Sequence, residues 1–173
     1  MAEKKRRELF YKKAYTCRFC GTPFEWRRLY PTVRGQVERW DEYFDIPIYE
    51  PEDASGLFGD VLRVEVIVCP ECAFASNEES RFITERPSVS WEPHVSVIEL
   101  LQRMRPARLT LSKEAEKIQL FPRSMEDAIV CLKLAIHSST MIFNADPQSN
   151  PIESARLGTY ALKAAQLSGQ LKQ

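Results

Sequence analysis

Cys17-Arg18-Phe19-Cys20-Gly21 and, further along, Val66-Ile67-Val68-Cys69-Pro70-Glu71-Cys72-Ala73-Phe74-Ala75 decide how this chain folds. Four of the five cysteines fall in these two Cys-x-x-Cys pairs, the donor set that holds one tetrahedral metal ion. Two residues between the thiolates let the backbone turn tightly enough for both sulfurs to reach one ion at about 2.3 Å, while amides of the turn offset the sulfur charge. Gly21 suits that turn, because the position after the second cysteine often needs a positive φ. Pro70 pre-sets one φ angle in the second turn, but Ala73 stands where glycine is easier, which predicts mild backbone strain. Cys17, Cys20, Cys69 and Cys72 are therefore the expected metal ligands, with Zn2+ as the first choice of ion and Fe as the alternative.

Strand-like sequence leads into both pairs. Leu9, Tyr11 and Tyr15 share one face of the segment that delivers Cys17, and Phe24, Trp26 and Tyr30 recur beyond the turn with Arg28 between them. This predicts a hairpin with the first pair at its tip and one aromatic face. Upstream of the second pair, Leu62, Val64, Val66 and Val68 alternate with Arg63, Glu65 and Ile67, a half-buried strand running into Cys69. Residues 77–83 then suit a short helical turn.

Between Cys20 and Cys69 lie 48 residues, and closing so long a loop costs little extra because its entropy rises only logarithmically with length. Within the segment, Trp40, Tyr43, Phe44, Ile46, Ile48 and Tyr49 supply apolar area, while Pro47, Pro51, Gly56 and Gly59 interrupt regular structure. A partly ordered excursion with an acidic outer surface is expected.

Arg86-Pro87-Ser88 reads as a boundary, and the sequence beyond it is helical in period. Pro93 suits the start of a helix carrying Val97, Ile98, Leu101 and Met104, which Pro106 ends. Ser112 caps a shorter helix to about Leu120. Ser124, with Asp127 three residues on, opens a long helix with Ala128, Ile129, Leu132, Ala135, Ile136 and Ile142 as its apolar stripe. Asn150, Pro151 and Glu153 mark the start of the last helix, whose Ala155, Leu157, Ala161, Leu162, Ala164, Ala165 and Leu167, with Gly158, permit close approach of a neighbour. The last two helices are expected to form an antiparallel, repeat-like hairpin that needs the preceding helices or another chain, a homo-oligomer included, against it. The expected architecture is α+β: a zinc-ribbon-like metal-binding β domain at 1–86 with a long insertion at 31–60, then a helical region at 87–173.

With 173 residues, 44% hydrophobic and 28% charged, composition is that of an ordinary globular protein. No apolar run approaches a membrane span, and no apolar segment follows Lys4-Lys5-Arg6-Arg7, so a cytoplasmic protein without membrane contact is expected. Thiols stay reduced there, which favours metal ligation over disulfides. Residues 1–40 carry eleven Lys/Arg against four Asp/Glu, a net +7, whereas residues 41–60 carry seven acids and no base, a net −7. The two blocks can neutralise each other, which weakens an argument for nucleic acid made from the basic half alone.

The chain resembles the bacterial domain-of-unknown-function family 2225. The resemblance is carried by Tyr11-Lys12-Lys13 and Tyr15 before the first cysteine pair, by Asp45-Ile46-Pro47-Ile48-Tyr49, and above all by the ten residues 66–75 quoted at the outset. It covers the first half well and the helical half in character, with Arg18 where the family often has proline and Ala73 where it has glycine. The resemblance implies paired cysteine knuckles followed by tetratricopeptide-like helices, metal binding and a cytoplasmic location, and it implies no substrate.

Three functional readings compete. The first is a non-enzymatic structural zinc site in a protein-interaction module whose helical region docks a protein partner. The second is a nucleic-acid-binding ribbon that uses residues 4–7, Arg18, Arg27, Arg28 and Arg34 with Trp26 and Tyr30; the competing view makes the same rings a small domain's core. The third is redox chemistry, in the manner of a rubredoxin-like iron site. Strands lead into both turns, whereas catalytic thiol pairs open a helix. His94 and His137 are too few for a catalytic set or an open zinc site, and Cys131, beside Leu132 on a helix, reads as a buried structural thiol.

Overall fold

The computed structural model describes residues 10–30, 37–40, 47–49, 65–85, 91–113, 123–145, 147–148 and 152–170. The fold is α+β. Strands β1 (Phe10–Cys17) and β2 (Pro23–Leu29) form the expected antiparallel hairpin, with Tyr15 opposite Phe24 and the first cysteine pair at its turn. Of the 31–60 excursion, β3 (Val37–Trp40) and β4 (Pro47–Tyr49) are described, and they pair antiparallel across a bulge. A second, shorter hairpin, β5 (Ile67–Val68) and β6 (Ala75–Ser76), carries the other cysteine pair. A 3-10 turn at Glu79–Arg81, matching the expected helical turn, leads to β7 (Phe82–Ile83), which places Phe82 opposite Cys17 and completes a sheet in the order β2-β1-β7.

Alternation along β1 buries Tyr15 and Cys17 and turns Lys12 and Ala14 to solvent. The run into Cys69 behaves differently. Residues 61–64 lie outside the described residues, and the part that is described is buried on both faces: Ile67, expected to point outward, is as inaccessible as Val66 and Val68. The reason is that the short hairpin lies between the β2-β1-β7 sheet, which Phe74 meets through Phe82 at 5.5 Å between ring centroids, and the helices.

Helix α1 (Val95–Arg103) starts two residues later than Pro93 promised, since the His94 ring caps it by accepting from the Ser96 amide through Nδ1 at 3.4 Å. Val97 and Leu101 are its buried positions. Pro106 does not end the helical region. Only Met104 intervenes before α2 (Arg105–Lys113), and Pro106 occupies the first turn of that helix, where its missing N–H is not needed. Ser112 consequently lies inside α2 and is not a cap; 114–122 lie outside the described residues, as do the boundary at 86–88 and residues 150 and 151.

Helix α3 (Met125–Ala145) begins as its sequence predicts, with the Ser124 Oγ accepting from the Asp127 amide at 3.1 Å. It is the central element, packed against α1, α2, β5, β6 and, most extensively, α4 (Ile152–Gln170). The six residues between α3 and α4 span at most about 25 Å, less than the roughly 30 Å length of α3, so the two helices run antiparallel. By length and composition α3 could cross a membrane, which the expectation of no such run overlooked; more than half of that stretch is buried inside this fold.

The buried side of α4 is not the expected alanine stripe. Ala155, Ala161 and Ala165 are exposed, and nothing lies within 4 Å of where a Cβ on Gly158 would stand. The helix instead buries Glu153, Tyr160 and Leu167, one heptad apart. Tyr160 donates through its hydroxyl to the Asn77 side-chain oxygen at 2.6 Å, Lys163 pairs with Glu65 at 2.7 Å, and Glu153 is ion-paired to both Arg81 and Arg156. One continuous core, from Tyr15 and Trp26 through Val66–Ala75 to Leu134 and Leu167, joins the cysteine-bearing strands to the helices.

Candidate metal centre

Both cysteine turns follow one hydrogen-bonding plan. In the first, the Gly21 amide donates to the Cys17 carbonyl at 2.9 Å and the Cys17 amide to the Thr22 carbonyl at 3.0 Å. In the second, Ala73 donates to Cys69 at 2.9 Å and Cys69 to Phe74 at 2.8 Å. Each plan closes by a residue with positive φ, 71° at Gly21 and 55° at Ala73, so the strain anticipated at Ala73 is present. Phe19, inside the first turn, packs on Phe74, just past the second, at 4.2 Å between centroids, and on Trp91 at 5.8 Å. These rings seat one turn against the other.

The result is a cluster in which the sulfurs of Cys17, Cys20, Cys69 and Cys72 all lie within 4.8 Å of one another. Cys17 and Cys72 are 3.6 Å apart at Sγ, and so are Cys20 and Cys69. A metal–sulfur distance of about 2.3 Å puts sulfurs about 3.8 Å apart at the corners of a tetrahedron, so the cluster has the size and the donor set for one such ion. Cys17, Cys69 and Cys72 are buried, whereas Cys20 is exposed, its sulfur 3.3 Å from the Thr22 hydroxyl.

Four thiols this close cannot all ionise unless a cation shares the charge. The cluster is accordingly polarised: hydrogen bonds from the neighbouring thiols, helped by backbone amides, draw Cys69 well below the ordinary thiol range, and donation to its neighbours together with burial pushes Cys17 up. A divalent ion of thiolate-seeking character is the partner that such a set accommodates.

The other candidates are dispersed. Cys131 is fully buried on α3, its thiol pushed up by burial, and it is not part of the sulfur group. His94 is a helix cap and His137 is exposed on α3. Trp26 is 1% exposed, with the Arg123 guanidinium 4.7 Å from its ring centroid, so this ring belongs to the core and not to a stacking surface. Arg28 donates to the Glu65 carbonyl at 3.1 Å and faces Glu79 at 3.4 Å. Arg27 and Tyr30 are exposed, Arg18 is half-buried, and residues 4–7 and Arg34 lie outside the described residues.

Sequence reasoning missed the helix that walls the centre. Arg105 of α2 pairs with Glu71, inside the second cysteine turn, and Arg108, one turn further along, is buried beside the cluster. Together with Phe19, Cys20, Thr22, Cys72, Leu101 and Gln102 they line a cleft of about 530 Å³. The three-residue spacing of Arg105 and Arg108 is the only signal the sequence offers, and reading Pro106 as a helix end hides it. No family model, no curated protein and no solved structure matches the chain.

Proposed function

We propose that this is a non-enzymatic zinc-binding protein, in which a structural four-thiolate zinc ribbon organises a platform of tetratricopeptide-like helices that docks a protein partner in the cytoplasm. The observation that carries the reading is the meeting of Cys17 and Cys20 with Cys69 and Cys72, across the long insertion, within one 4.8 Å group. Three of those sulfurs are buried at the root of the common core, the position of an ion that contributes to folding. Support for the docking role comes from the outer side of α4, where Ala155, Gly158, Thr159, Ala161 and Ala165 are exposed. Small residues there offer a neighbour close approach without a side-chain barrier. Kinship with the family named above belongs to the same reading.

Elemental analysis of the purified chain tests the metal: one zinc per chain and no visible colour are expected. One iron per chain, with the red colour of a ferric tetrathiolate, replaces zinc with the iron alternative, and no metal at all removes the reading. The docking role is tested by Gly158→Arg, which has room for its side chain and improves helix propensity. Fold and metal content are expected to be kept while partner association is lost.

A further inference from the structure

Arg108 is the least expected residue of the interior. It is 1% exposed, its Nη2 donates to the Leu101 carbonyl at 3.0 Å, and its Nε and Nη1 have no hydrogen-bond partner among the described residues. No ion pair to a carboxylate is found for it among the described residues, although a buried cation is costly unless an opposite charge answers it. Burial works against its charge, and the cleft that it lines is shared with Cys20 and Cys72 of the sulfur group.

Charge arithmetic identifies what the guanidinium is for. A divalent ion with four thiolates is a dianion, and that much negative charge beside an apolar core calls for compensation. Arg105, the other cation of the cleft, is already matched by Glu71. Among the described residues that line the cleft, Arg108 is left as the positive charge without a paired acid. A competing use, capture of a small oxyanion in the cleft, is disfavoured by the same geometry, because Cys20 and Cys72 line that space and would repel the guest.

We propose that Arg108 is the built-in counter-cation of the metal–thiolate centre, a positioning residue that sets how tightly the ion is held. The inference rests on the metal-binding reading and deepens it. In a weakly polar surrounding the guanidinium offsets the net negative charge that a divalent ion with four thiolates carries. Loss of that positive charge is therefore expected to weaken the hold on the ion.

The test uses the full chain as parent, Arg108→Met and Arg108→Lys. Zinc affinity is read by competition with a chromophoric chelator, the cobalt absorption spectrum reports ligand geometry, and the midpoint potential is measured on iron-loaded protein. Arg108→Met is expected to keep the tetrathiolate cobalt spectrum but to bind zinc about ten- to a hundred-fold more weakly. Its iron potential is expected to fall, because reduction takes the centre from one negative charge to two; Arg108→Lys is expected to recover most of both effects. Packing alone would leave the potential of a folded variant in place. Parent-like affinity and potential in Arg108→Met would overturn the inference while leaving metal binding intact, whereas a parent that binds no metal removes the reading beneath it. Should Arg108→Met not fold, Arg108→Lys decides: near-parent affinity supports the role, and a ten-fold or greater loss in the folded, charge-keeping variant refutes it. Binding of inorganic phosphate by the parent that disappears in Arg108→Lys would also refute it, by assigning the charge to an external anion.

Discussion

Gly21 and Ala73 occupy the same place in two turns of one design, at φ of 71° and 55°. One is a glycine and the other is not, so the chain itself shows that this position accepts a Cβ. Nothing lies within 4 Å of a Cβ built on Gly21, and the cost of Gly21→Ala is then the left-handed backbone alone, about 1 kcal/mol. Metal stoichiometry is expected to stay at the parent value, with a small drop in the midpoint of chemical denaturation. Gly21→Val, β-branched in the same region, is expected to cost distinctly more. A Gly21→Ala variant that lost its metal would mean that the two turns are not equivalent.

Cys69→Ser and Cys131→Ser separate ligand from core. Cys69 is fully buried and takes part in both the sulfur group and its turn's backbone bonds, and four-thiolate sites contribute on the order of 10 kcal/mol or more to folding. Loss of the ion and collapse of the two cysteine hairpins are expected. Since α3 packs on β5 and β6, with the Ser138 hydroxyl accepting from the Ala75 amide at 3.1 Å, the helices are expected to stay helical by far-UV dichroism while losing fixed packing by near-UV dichroism. Cys131→Ser buries a hydroxyl where a thiol stood, costing about 1–3 kcal/mol, and should retain the full metal equivalent.

The cysteine spacing, the first hairpin and the Ser124 cap were legible because each depends on neighbours within a few residues. What was not legible depends on partners far along the chain. Glu153 reads as the acid three residues after an Asn150 cap, yet in the fold it meets Arg81 from the other half. Tyr160 is invisible to a count of aliphatic residues, and its hydroxyl is satisfied by Asn77. Arg108 breaks the apolar-in, polar-out rule for a reason that lies in the charge of the cysteine cluster. Pro106 misled because proline both stops and starts helices, and only the single residue Met104 between α1 and α2 distinguishes the two cases here.

Glu79 gives the acid limb of the stability curve a specific origin. Burial pushes its carboxyl up, but hydrogen bonds from Lys13 at 2.6 Å and Tyr15 at 2.8 Å, with Arg28 nearby, more than offset this and leave it below the ordinary carboxylate range. A carboxyl with a depressed folded value stabilises fully above its unfolded pKa of about 4.3, and that stability is lost as pH falls through the folded value. Glu79→Gln is therefore expected to lower stability at neutral pH and to flatten the decline below about pH 4, relative to the parent. Identical acid limbs in denaturation at matched metal content would assign the decline to other groups.

Glu153→Gln tests what fastens α4 to the rest of the molecule. Arg81 is 4% exposed and Glu153 1% exposed, and the guanidinium of Arg81 also lies 3.9 Å from the centroid of the Trp91 ring. Glu153 answers Arg81 and Arg156 together, while Glu78, paired to Arg156 at 2.6 Å, stands nearer the surface. Removing the carboxylate charge leaves a buried guanidinium with Glu78 at 3.8 Å as its remaining acid, a change of the kind that costs about 3–5 kcal/mol. Because the shape of the side chain is kept, the loss is electrostatic and is expected to fall on the contact between α4 and the Glu79–Arg81 turn, not on the metal centre. Amide exchange in α4 should accelerate toward that of a locally opened helix while zinc content is unchanged. Exchange in α4 at the parent rate would show that Tyr160 and Lys163 hold the helix without the buried pair.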